Sequence, residues 1–206
     1  MHRIISPIME LILASTSPYR AALLKRLQIP FHCAAPEVDE TPLPGEPPQA
    51  LSRRLALAKA QAVSRQNPQA LVIGSDQVAC IGRQAMGKPG DKSSAAKQLM
   101  ASSGNIVHFY TGLALCCPSK DIEKVTMEPF NVHFRKLSEQ VIDDYLEQEQ
   151  PYDCAGSFKC EGLGIALFEK MVGDDPTALE GLPLITLTSL LMGLGMPVLG
   201  GTTAKG

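Results

Sequence analysis

The sequence lacks the features of a membrane protein, a secreted protein or a zinc protein. No apolar run reaches the roughly 18 residues that a membrane span needs. Nothing resembling a secretory signal precedes the six cysteines, and their spacing contains no Cys-x-x-Cys. None of the four histidines falls at a zinc-ligand interval from a cysteine or from another histidine. We therefore expect a protein of the reducing cytoplasm with free thiols and no membrane partner.

Glycine-rich nucleotide motifs and a strong charge bias are absent as well. The chain contains no dinucleotide fingerprint, no P-loop and no Gly-x-Ser-x-Gly elbow, so nucleophilic serine catalysis is not expected. Its formal net charge of −2 gives no general attraction to nucleic acid. Any cationic site must therefore be local.

The chain's length and composition fit one folded domain with an ordinary core. It has 206 residues, of which 45% are apolar and 19% charged, and no internal repeat or linker divides it. Strands and helices alternate at first, and a strand pair then interrupts them. This order predicts an α/β fold with a twisted mixed β-sheet and flanking helices. We assign residues 10–195 to the domain, 1–9 to an extension and 196–206 to a disordered tail.

Hydrophobic periodicity and helix-terminal residues place the individual elements. Helices are predicted from Pro18, over 47–66, over 91–103, from Ser138 to before Pro151, and up to about Gly193. Strands are predicted over 11–14, 31–35, 71–81, 105–117 and 124–135. The pattern changes phase at Pro129, which predicts a bulge or bend there. Lys159 and Glu161 alternate in a way that fits a β edge.

Asp76 is the first candidate for a catalytic residue. It stands where the apolar run Leu71-Val72-Ile73 runs out, and a carboxylate at such a point of a sheet is well placed for chemistry. Lys59 lies near the buried edge of helix 47–66, and no acid occurs between Glu46 and Asp76. We expect its amine to contact either Asp76 or an anionic ligand.

Three further places suggest that a phosphate and a metal ion bind nearby. Arg20 lies in the first turn of a helix that follows Ser15-Thr16-Ser17-Pro18, where a cation opposes the helix dipole. An anion held by free amides, hydroxyls and the guanidinium would explain it; a capped helix with a solvated arginine is the alternative. The loop at 36–45 carries three acids that either hold a divalent cation or are merely solvated. Lys88, between a glycine and a proline, is either aimed at a phosphate or an ordinary exposed lysine.

Several motifs together resemble the Maf family of nucleotide pyrophosphatases. They are Leu11-Ile12-Leu13-Ala14-Ser15-Thr16-Ser17-Pro18-Tyr19-Arg20, Glu37-Val38-Asp39-Glu40, Leu57-Ala58-Lys59-Ala60, Gly74-Ser75-Asp76-Gln77 and Gly87-Lys88-Pro89. Their order and spacing match from Glu10 to about Gly195. The resemblance implies an inosine triphosphatase-like fold with two lobes around a cleft. It also implies hydrolysis of nucleoside triphosphates to the monophosphate and pyrophosphate with a divalent metal, magnesium or manganese.

The resemblance also implies roles for individual residues. Asp76 becomes the catalytic acid or base or a metal ligand, and Glu40 a second carboxylate at the metal. The implied phosphate-binding residues are Ser15, Arg20, Lys59 and Lys88. Tyr19, Gln77 and Glu161 stand where the dTTP/UTP pyrophosphatases carry other residues, and this triplet resembles the subfamily that prefers 7-methyl-GTP.

The physical properties of two of these residues agree with that substrate. N7-methylated guanine carries a delocalised positive charge, which an aromatic face attracts by about 0.5–2 kcal/mol. Glu161 offers acceptors to the guanine N1–H and the exocyclic amine. The alternatives are a dTTP/UTP or broad-specificity pyrophosphatase and a non-catalytic nucleotide-binding regulator of septation. A homodimer is compatible with the resemblance.

Overall fold

The computed structural model describes residues 9–199, and the structural statements below concern that part of the chain. It contains five α-helices and seven strands within this range. The strands are β1 (Leu11–Ala14), β2 (His32–Ala34), β3 (Leu71–Ile81), β4 (Gln84–Met86), β5 (Ile106–Cys117), β6 (Ile122–Phe134) and β7 (Phe168–Val172). The helices are α1 (Pro18–Lys25), α2 (Pro48–Ser64), α3 (Lys92–Ser102), α4 (Glu139–Glu149) and α5 (Leu184–Gly193).

The strands form one mixed seven-stranded sheet in the order β2-β1-β3-β5-β6-β7, with β4 paired to β3. β1 runs parallel to both β2 and β3, whereas the pairs β3–β5, β5–β6 and β6–β7 are antiparallel. This confirms the predicted mixed sheet with flanking helices. Three short 3₁₀ turns complete the described part, at Pro118–Lys120, Leu163–Leu167 and Pro176–Ala178.

The long strands β3 and β5 each contribute to two parts of the core. The first part of β3 and the last part of β5, which pair with each other, pack under α1 and α5 on one face of the sheet and under α2 on the other. Their opposite ends pack with β6, α3 and α4 around four phenylalanine rings in edge-to-face contact, those of Phe109, Phe134, Phe158 and Phe168. The sheet therefore carries one group of helices at each end, and the cleft described below opens between them.

Two glycines let α2 lie unusually close to the sheet. A Cβ on Gly74 of β3 would stand 2.2 Å from the Ala56 carbonyl oxygen, and one on Gly112 of β5 would stand 2.1 Å from the Ser52 carbonyl oxygen. Both obstacles are helix backbone, which cannot move aside as a flexible side chain can. The two glycines thus fix the height and the position of α2 over β3.

The predicted break at Pro129 is wrong. β6 pairs with β5 in one unbroken register from Ile122 to His133, with Pro129 opposite Tyr110, and the irregularity lies between His133 and Phe134 opposite β7. β7 pairs with β6 only from Asn131 onward. Pro129 therefore lies where β6 has an open side, and its missing N–H removes no ladder bond there.

The predicted β edge at Lys159 and Glu161 is also wrong, because this segment is a series of turns. Gly156 and Ser157 have positive φ values of 79° and 64°, which break an extended chain. A Cβ on Gly164 would stand 2.3 Å from the Lys159 carbonyl oxygen, so the chain folds back on itself. The short strands β4 and β7 were not predicted.

Other expectations concern the ends of the chain, the membrane and the thiols. Met196 and Val198 pack against the core beneath α5, whereas residues 1–8 of the predicted extension and 200–206 of the predicted tail lie outside the described residues. Between residues 9 and 199 no helix is long and apolar enough to cross a membrane. All six cysteines are free thiols.

Candidate active site

A cleft of about 780 Å³ opens where β1 ends beside β3. The pairing of these parallel strands stops at Ala14 and Gly74, and β3 continues past the end of β1 while it stays paired with β5. Asp76 therefore lies in the middle of β3 and not at a strand end, but it stands just beyond the carboxyl end of the neighbouring strand. Open α/β sheets bind ligands at this kind of position. All nine sequence-predicted site residues line this cleft: the buried pair described next, and Ser15, Tyr19, Arg20, Glu40, Gln77, Lys88 and Glu161.

Asp76 and Lys59 form a buried ion pair on the wall of the cleft. Each residue is 6% exposed, and the Lys59 ammonium nitrogen lies 2.6 Å from Asp76 Oδ1. Burial raises the pKa of the Asp76 carboxyl, while Lys59 and, more weakly, Arg20 oppose this rise. The lysine thus contacts Asp76, one of the two anions expected for it.

Glu40 reaches the same ammonium group from the acidic loop. Its Oε1 lies 2.8 Å from Lys59 Nζ, although the Glu40 side chain is 58% exposed. Lys59 is therefore shared between a buried carboxylate on β3 and an exposed one on the loop between β2 and α2. The three residues that meet here span 36 positions of the chain, from Glu40 to Asp76.

The N-terminus of α1 contributes Ser15 and Arg20 to the cleft. The Ser17 hydroxyl accepts a hydrogen bond from the Arg20 amide at 3.4 Å and so caps the helix, as predicted, and the buried Ser15 hydroxyl accepts one from the Ser17 amide at 3.1 Å. Arg20 Nε donates to the Gly181 carbonyl at 2.9 Å. Burial lowers the pKa of Arg20, and the charges of Asp76 and Glu40 oppose this shift.

Tyr19 marks a second, acidic end of the cleft. Its hydroxyl donates to Asp153 at 3.5 Å, and burial, with help from Cys154 and Asp153, raises the pKa of the Tyr19 phenol to about 12. Glu161 and Glu180 line the cleft as well. Burial and the Glu161 charge raise the pKa of the Glu180 carboxyl.

Gln77 lines the cleft, but its amide nitrogen is used inside the protein. It lies 2.8 Å from the Ala178 carbonyl oxygen, 3.0 Å from that of Leu179 and 3.2 Å from Thr111 Oγ1. Gln77 therefore holds the 3₁₀ turn at Pro176–Ala178 against β3. A direct contact between this nitrogen and a nucleotide base would require these bonds to break.

Lys88 lies on the rim of the cleft in the short loop after β4. It is exposed, and the loop is held on both sides: Gln98 donates to the Gly87 carbonyl at 3.1 Å, and the Gly90 amide donates to the Tyr152 carbonyl at 3.0 Å. The loop therefore keeps the base of the lysine in place while leaving its amine free to move.

Sequence patterns did not identify Asp153, Glu180 or Asp175 as residues of the site. The first two line the acidic end of the cleft, and each is a single carboxylate in a turn with no flanking pattern. Asp175 is 2% exposed and accepts hydrogen bonds from the amides of Thr177 and Ile185, so it ties the 3₁₀ turn to the start of α5. Its place before a proline indicates a turn but not this role.

Comparisons with known proteins agree on the family and the fold. A family model described as "Maf-like protein" matches residues 10–194. The 7-methyl-GTP pyrophosphatase of Nitrosococcus oceani is 58% identical over 189 residues, which cover 92% of this chain and 95% of that protein. The 7-methyl-GTP pyrophosphatase of Colwellia psychrerythraea is 54% identical over 189 residues, covering 92% of this chain and 94% of that protein.

Two solved structures share the fold at low sequence identity. The Ham1 protein of Staphylococcus aureus superposes with a TM-score of 0.54 at 14% identity, covering 90% of this chain and 99% of the other. A HAM1 protein from Coxiella burnetii gives a TM-score of 0.51 at 15% identity, covering 90% and 100%. These matches confirm the expected inosine triphosphatase-like fold.

Proposed function

The chain belongs to the Maf family, and from that premise we propose that it hydrolyses 7-methyl-GTP to the monophosphate and pyrophosphate in the cleft around Asp76. The observation that carries the proposal is the shared position of Lys59 between Asp76 and Glu40. A protein that only binds a triphosphate has no need of two carboxylates beside the phosphates, because they repel the ligand. A protein that cleaves it needs them to activate water and to hold a metal ion.

Cleavage breaks the bond between the α-phosphate and the bridging oxygen that leaves with pyrophosphate. A water molecule supplies the new oxygen and loses a proton, and negative charge builds up on the leaving pyrophosphate. Asp76 either accepts this proton directly or, together with Glu40, would hold a metal ion that makes the water more acidic, in which case the proton passes to solvent. Arg20, Lys59 and Lys88 are the cations that neutralise the developing charge, and the Ser15 hydroxyl is a further hydrogen-bonding group at the phosphates.

We propose a divalent metal, magnesium or manganese, as the cofactor. Within the described range, no group of three or more His, Cys, Asp and Glu residues could hold a metal ion by itself. The pair Asp76 and Glu40 nevertheless fits the way Mg²⁺ binds, through one or two carboxylates plus substrate phosphates and water. When bound there, the ion supplies positive charge and polarises water. Asp39 is less suitable, because one of its oxygens already accepts from the Thr41 amide at 2.9 Å.

We propose that the acidic end of the cleft selects the base. Tyr19 offers an aromatic face to a cationic ring, and Glu161 offers acceptors to the guanine edge. Gln77 contributes by holding the wall at Ala178 and Leu179. A neutral pyrimidine makes neither the cation–π contact nor a pair of donor contacts to one carboxylate.

A panel of triphosphates tests this assignment. Pyrophosphate release is measured with magnesium or manganese from 7-methyl-GTP, GTP, dTTP, UTP and CTP. The highest kcat/KM is expected for 7-methyl-GTP, and a clear preference for dTTP or UTP would refute the choice of base. Binding without any pyrophosphate release would instead favour the non-catalytic regulator.

We propose the cytoplasm as the compartment, since all six cysteines are free thiols. The homodimer stays a prediction. Size-exclusion chromatography with light scattering would test it.

A further inference from the structure

The loop that carries Glu40 is held in place from α2. This loop connects β2 to α2, has no regular secondary structure and is largely exposed. Its Glu40 nevertheless lies 2.8 Å from a buried ammonium group. An exposed loop holds a side chain there only if something fixes its backbone.

Arg54 supplies that fixation through a clamp, by which we mean Arg54, Glu46 and the Thr41 carbonyl. Arg54 Nε lies 2.6 Å from Glu46 Oε1 and Nη2 lies 2.8 Å from Oε2, which is a bidentate pair. Nη2 also donates to the Thr41 carbonyl at 3.1 Å, and Glu46 Oε2 accepts from the Leu43 amide at 3.0 Å. The loop is thus tied to α2 immediately after Glu40 and again just before the helix begins.

Burial and charge make this clamp different from an ordinary surface ion pair. The Glu46 side chain is only 7% exposed and that of Arg54 is 31% exposed. The hydrogen bonds from Arg54 are the main cause that lowers the pKa of Glu46 to about 2. Arg54 stands outside the set of described residues that line the cleft, and two of its nitrogens are already engaged, so it is poorly placed to bind phosphate.

We propose that Arg54 is a positioning residue for the metal: through Glu46 and the Thr41 carbonyl, it fixes the loop so that Glu40 is presented beside Asp76. The inference rests on the proposed metal-dependent hydrolysis, and it adds a residue that touches neither substrate nor metal. α2 then sets both ends of the metal site. Lys59 contacts the two carboxylates directly, and Arg54, five positions earlier in the same helix, determines where one of them stands.

The test measures metal binding and triphosphate binding separately. Mn²⁺ affinity is measured by electron paramagnetic resonance in the presence of a non-hydrolysable α,β-methylene triphosphate, and metal-free analogue binding is measured by calorimetry in EDTA. Arg54→Gln is expected to weaken Mn²⁺ binding by about tenfold and to leave metal-free binding within about twofold. The Mn²⁺ concentration for half-maximal turnover should rise in parallel, with kcat at saturating Mn²⁺ changed by less than about threefold.

Matched variants separate the clamp from a general loss of charge. Arg53→Gln, at the exposed neighbour that takes no part in the clamp, should change nothing. Arg54→Lys should behave like Arg54→Gln, because an ammonium group cannot reproduce the planar fork that grips both Glu46 oxygens. Glu46→Gln should weaken Mn²⁺ binding as well, and combining it with Arg54→Gln should add little, as expected for two ends of one interaction.

The chain has no tryptophan, so Leu43→Trp places a single reporter in the clamped loop. The fluorescence anisotropy of this tryptophan should fall when Arg54→Gln is added. The measurement needs neither metal nor turnover. Thermal unfolding checks that each variant folds, and Glu46→Gln tests the same link if Arg54→Gln does not.

Three results would overturn the proposal. They are unchanged Mn²⁺ affinity in Arg54→Gln and Glu46→Gln, an equal loss of metal-free triphosphate binding, which would make Arg54 a phosphate ligand, and full rescue by Arg54→Lys. Failure of the proposed function itself would look different: the wild-type protein would release no pyrophosphate, while the Mn²⁺ and anisotropy measurements would still report on the clamp.

Discussion

Replacing Asp76 by asparagine removes one negative charge and leaves the shape of the side chain unchanged. The asparagine oxygen can still accept from Lys59, whose ammonium lies 2.6 Å from Asp76 Oδ1 and 2.8 Å from Glu40 Oε1. The substitution therefore tests the charge and basicity of this group and not the packing of the cleft.

The expected loss of turnover is large. A positioned acid or base contributes about 10²–10⁴-fold to a rate, and an amide can neither accept the proton from water nor replace a carboxylate at a metal. We expect the Asp76→Asn substitution to lower kcat by about 10²–10⁴-fold or by more. The raised pKa of Asp76 makes its carboxylate a stronger base than that of an exposed aspartate.

Triphosphate binding should not fall with turnover. Two unit charges about 7 Å apart repel by about 0.6–2.4 kcal/mol at an effective dielectric of about 80 to 20. Removing this repulsion should leave metal-free triphosphate binding unchanged or make it tighter by up to about fiftyfold.

The free energy of unfolding should change little in the same variant. Breaking a buried ion pair costs about 3–5 kcal/mol when it leaves a charge uncompensated. Lys59 keeps Glu40 as a partner, and the variant also loses the cost of burying the Asp76 charge. We therefore expect a change of about 1 kcal/mol or less by urea unfolding.

Pyrophosphate release and calorimetry in EDTA check the two halves of this prediction. Asp174→Asn is the matched control, because Asp174 is an exposed aspartate that does not line the cleft. Wild-type turnover in Asp76→Asn would refute the catalytic role of Asp76. A parallel loss of metal-free binding would instead indicate that the carboxylate only shapes the cleft.

Three further predictions follow from the same geometry. Glu161→Gln should lower the ratio of kcat/KM for 7-methyl-GTP to that for GTP by about three- to tenfold with unchanged thermal unfolding, because both bases offer the same donors and only the methylated one carries the positive charge that Glu161 attracts. An unchanged ratio would contradict this electrostatic role of Glu161. Gly74→Ala should lower the free energy of unfolding by about 3 kcal/mol, because the new Cβ would stand 2.2 Å from the Ala56 carbonyl oxygen; Gly193→Ala, with nothing within 4 Å, is the control. Burial raises the pKa of Asp76, so on acidification kcat should begin to decline at a pH above the usual aspartate pKa of about 3.9. A kcat that stays unchanged down to about pH 3.9 would contradict the role of Asp76 as the base. The same shift means that the folded state holds this proton more tightly than the unfolded chain. Protonated Asp76 therefore adds to the free energy of unfolding below the pKa that it has in the unfolded chain, and this contribution is lost as the pH rises through the pKa that it has in the folded protein.

The ion pair at the cleft could be foreseen because both of its members follow regular patterns. The apolar run Leu71-Val72-Ile73 predicted a buried strand at Asp76, and the helical period of α2 placed Lys59 near its buried edge. Tertiary contacts supplied what these patterns could not. Glu40 meets Lys59 from a loop that Arg54 holds at Thr41, and Gln77 faces carbonyl groups that lie about a hundred positions later in the chain.

Predictions from short-range patterns were wrong where the same local pattern is compatible with two different structures. A proline in a strand predicts a bulge when both sides of that strand are paired, but the side of β6 at Pro129 is open because β7 begins to pair only at Asn131. The alternation at Lys159 and Glu161 predicted a strand, but the positive φ values of Gly156 and Ser157 turn the chain just before it. β4 has only three residues, too few for a period to be detected.

The distribution of charge along the cleft links the reaction to the choice of base. At one end, the two carboxylates that meet at Lys59 are outnumbered by three cations, Arg20, Lys59 and Lys88, which leaves one net positive charge. A triphosphate carries more negative charge than this offsets, so the proposed divalent cation would complete the balance at the reacting phosphates.

At the other end, Tyr19 stays a neutral phenol, since its pKa is raised to about 12, and three carboxylates, those of Asp153, Glu161 and Glu180, line the wall. Each of them at about 6 Å favours a positive charge on the base by about 0.7–1.4 kcal/mol at an effective dielectric of about 80 to 40. A neutral guanine gains none of this energy, whereas an N7-methylated guanine gains it in addition to the cation–π contact. We therefore expect the two ends to act on different parts of one substrate, with residues at the acidic end governing discrimination between bases and Asp76 and Lys59 governing the rate for every triphosphate that enters.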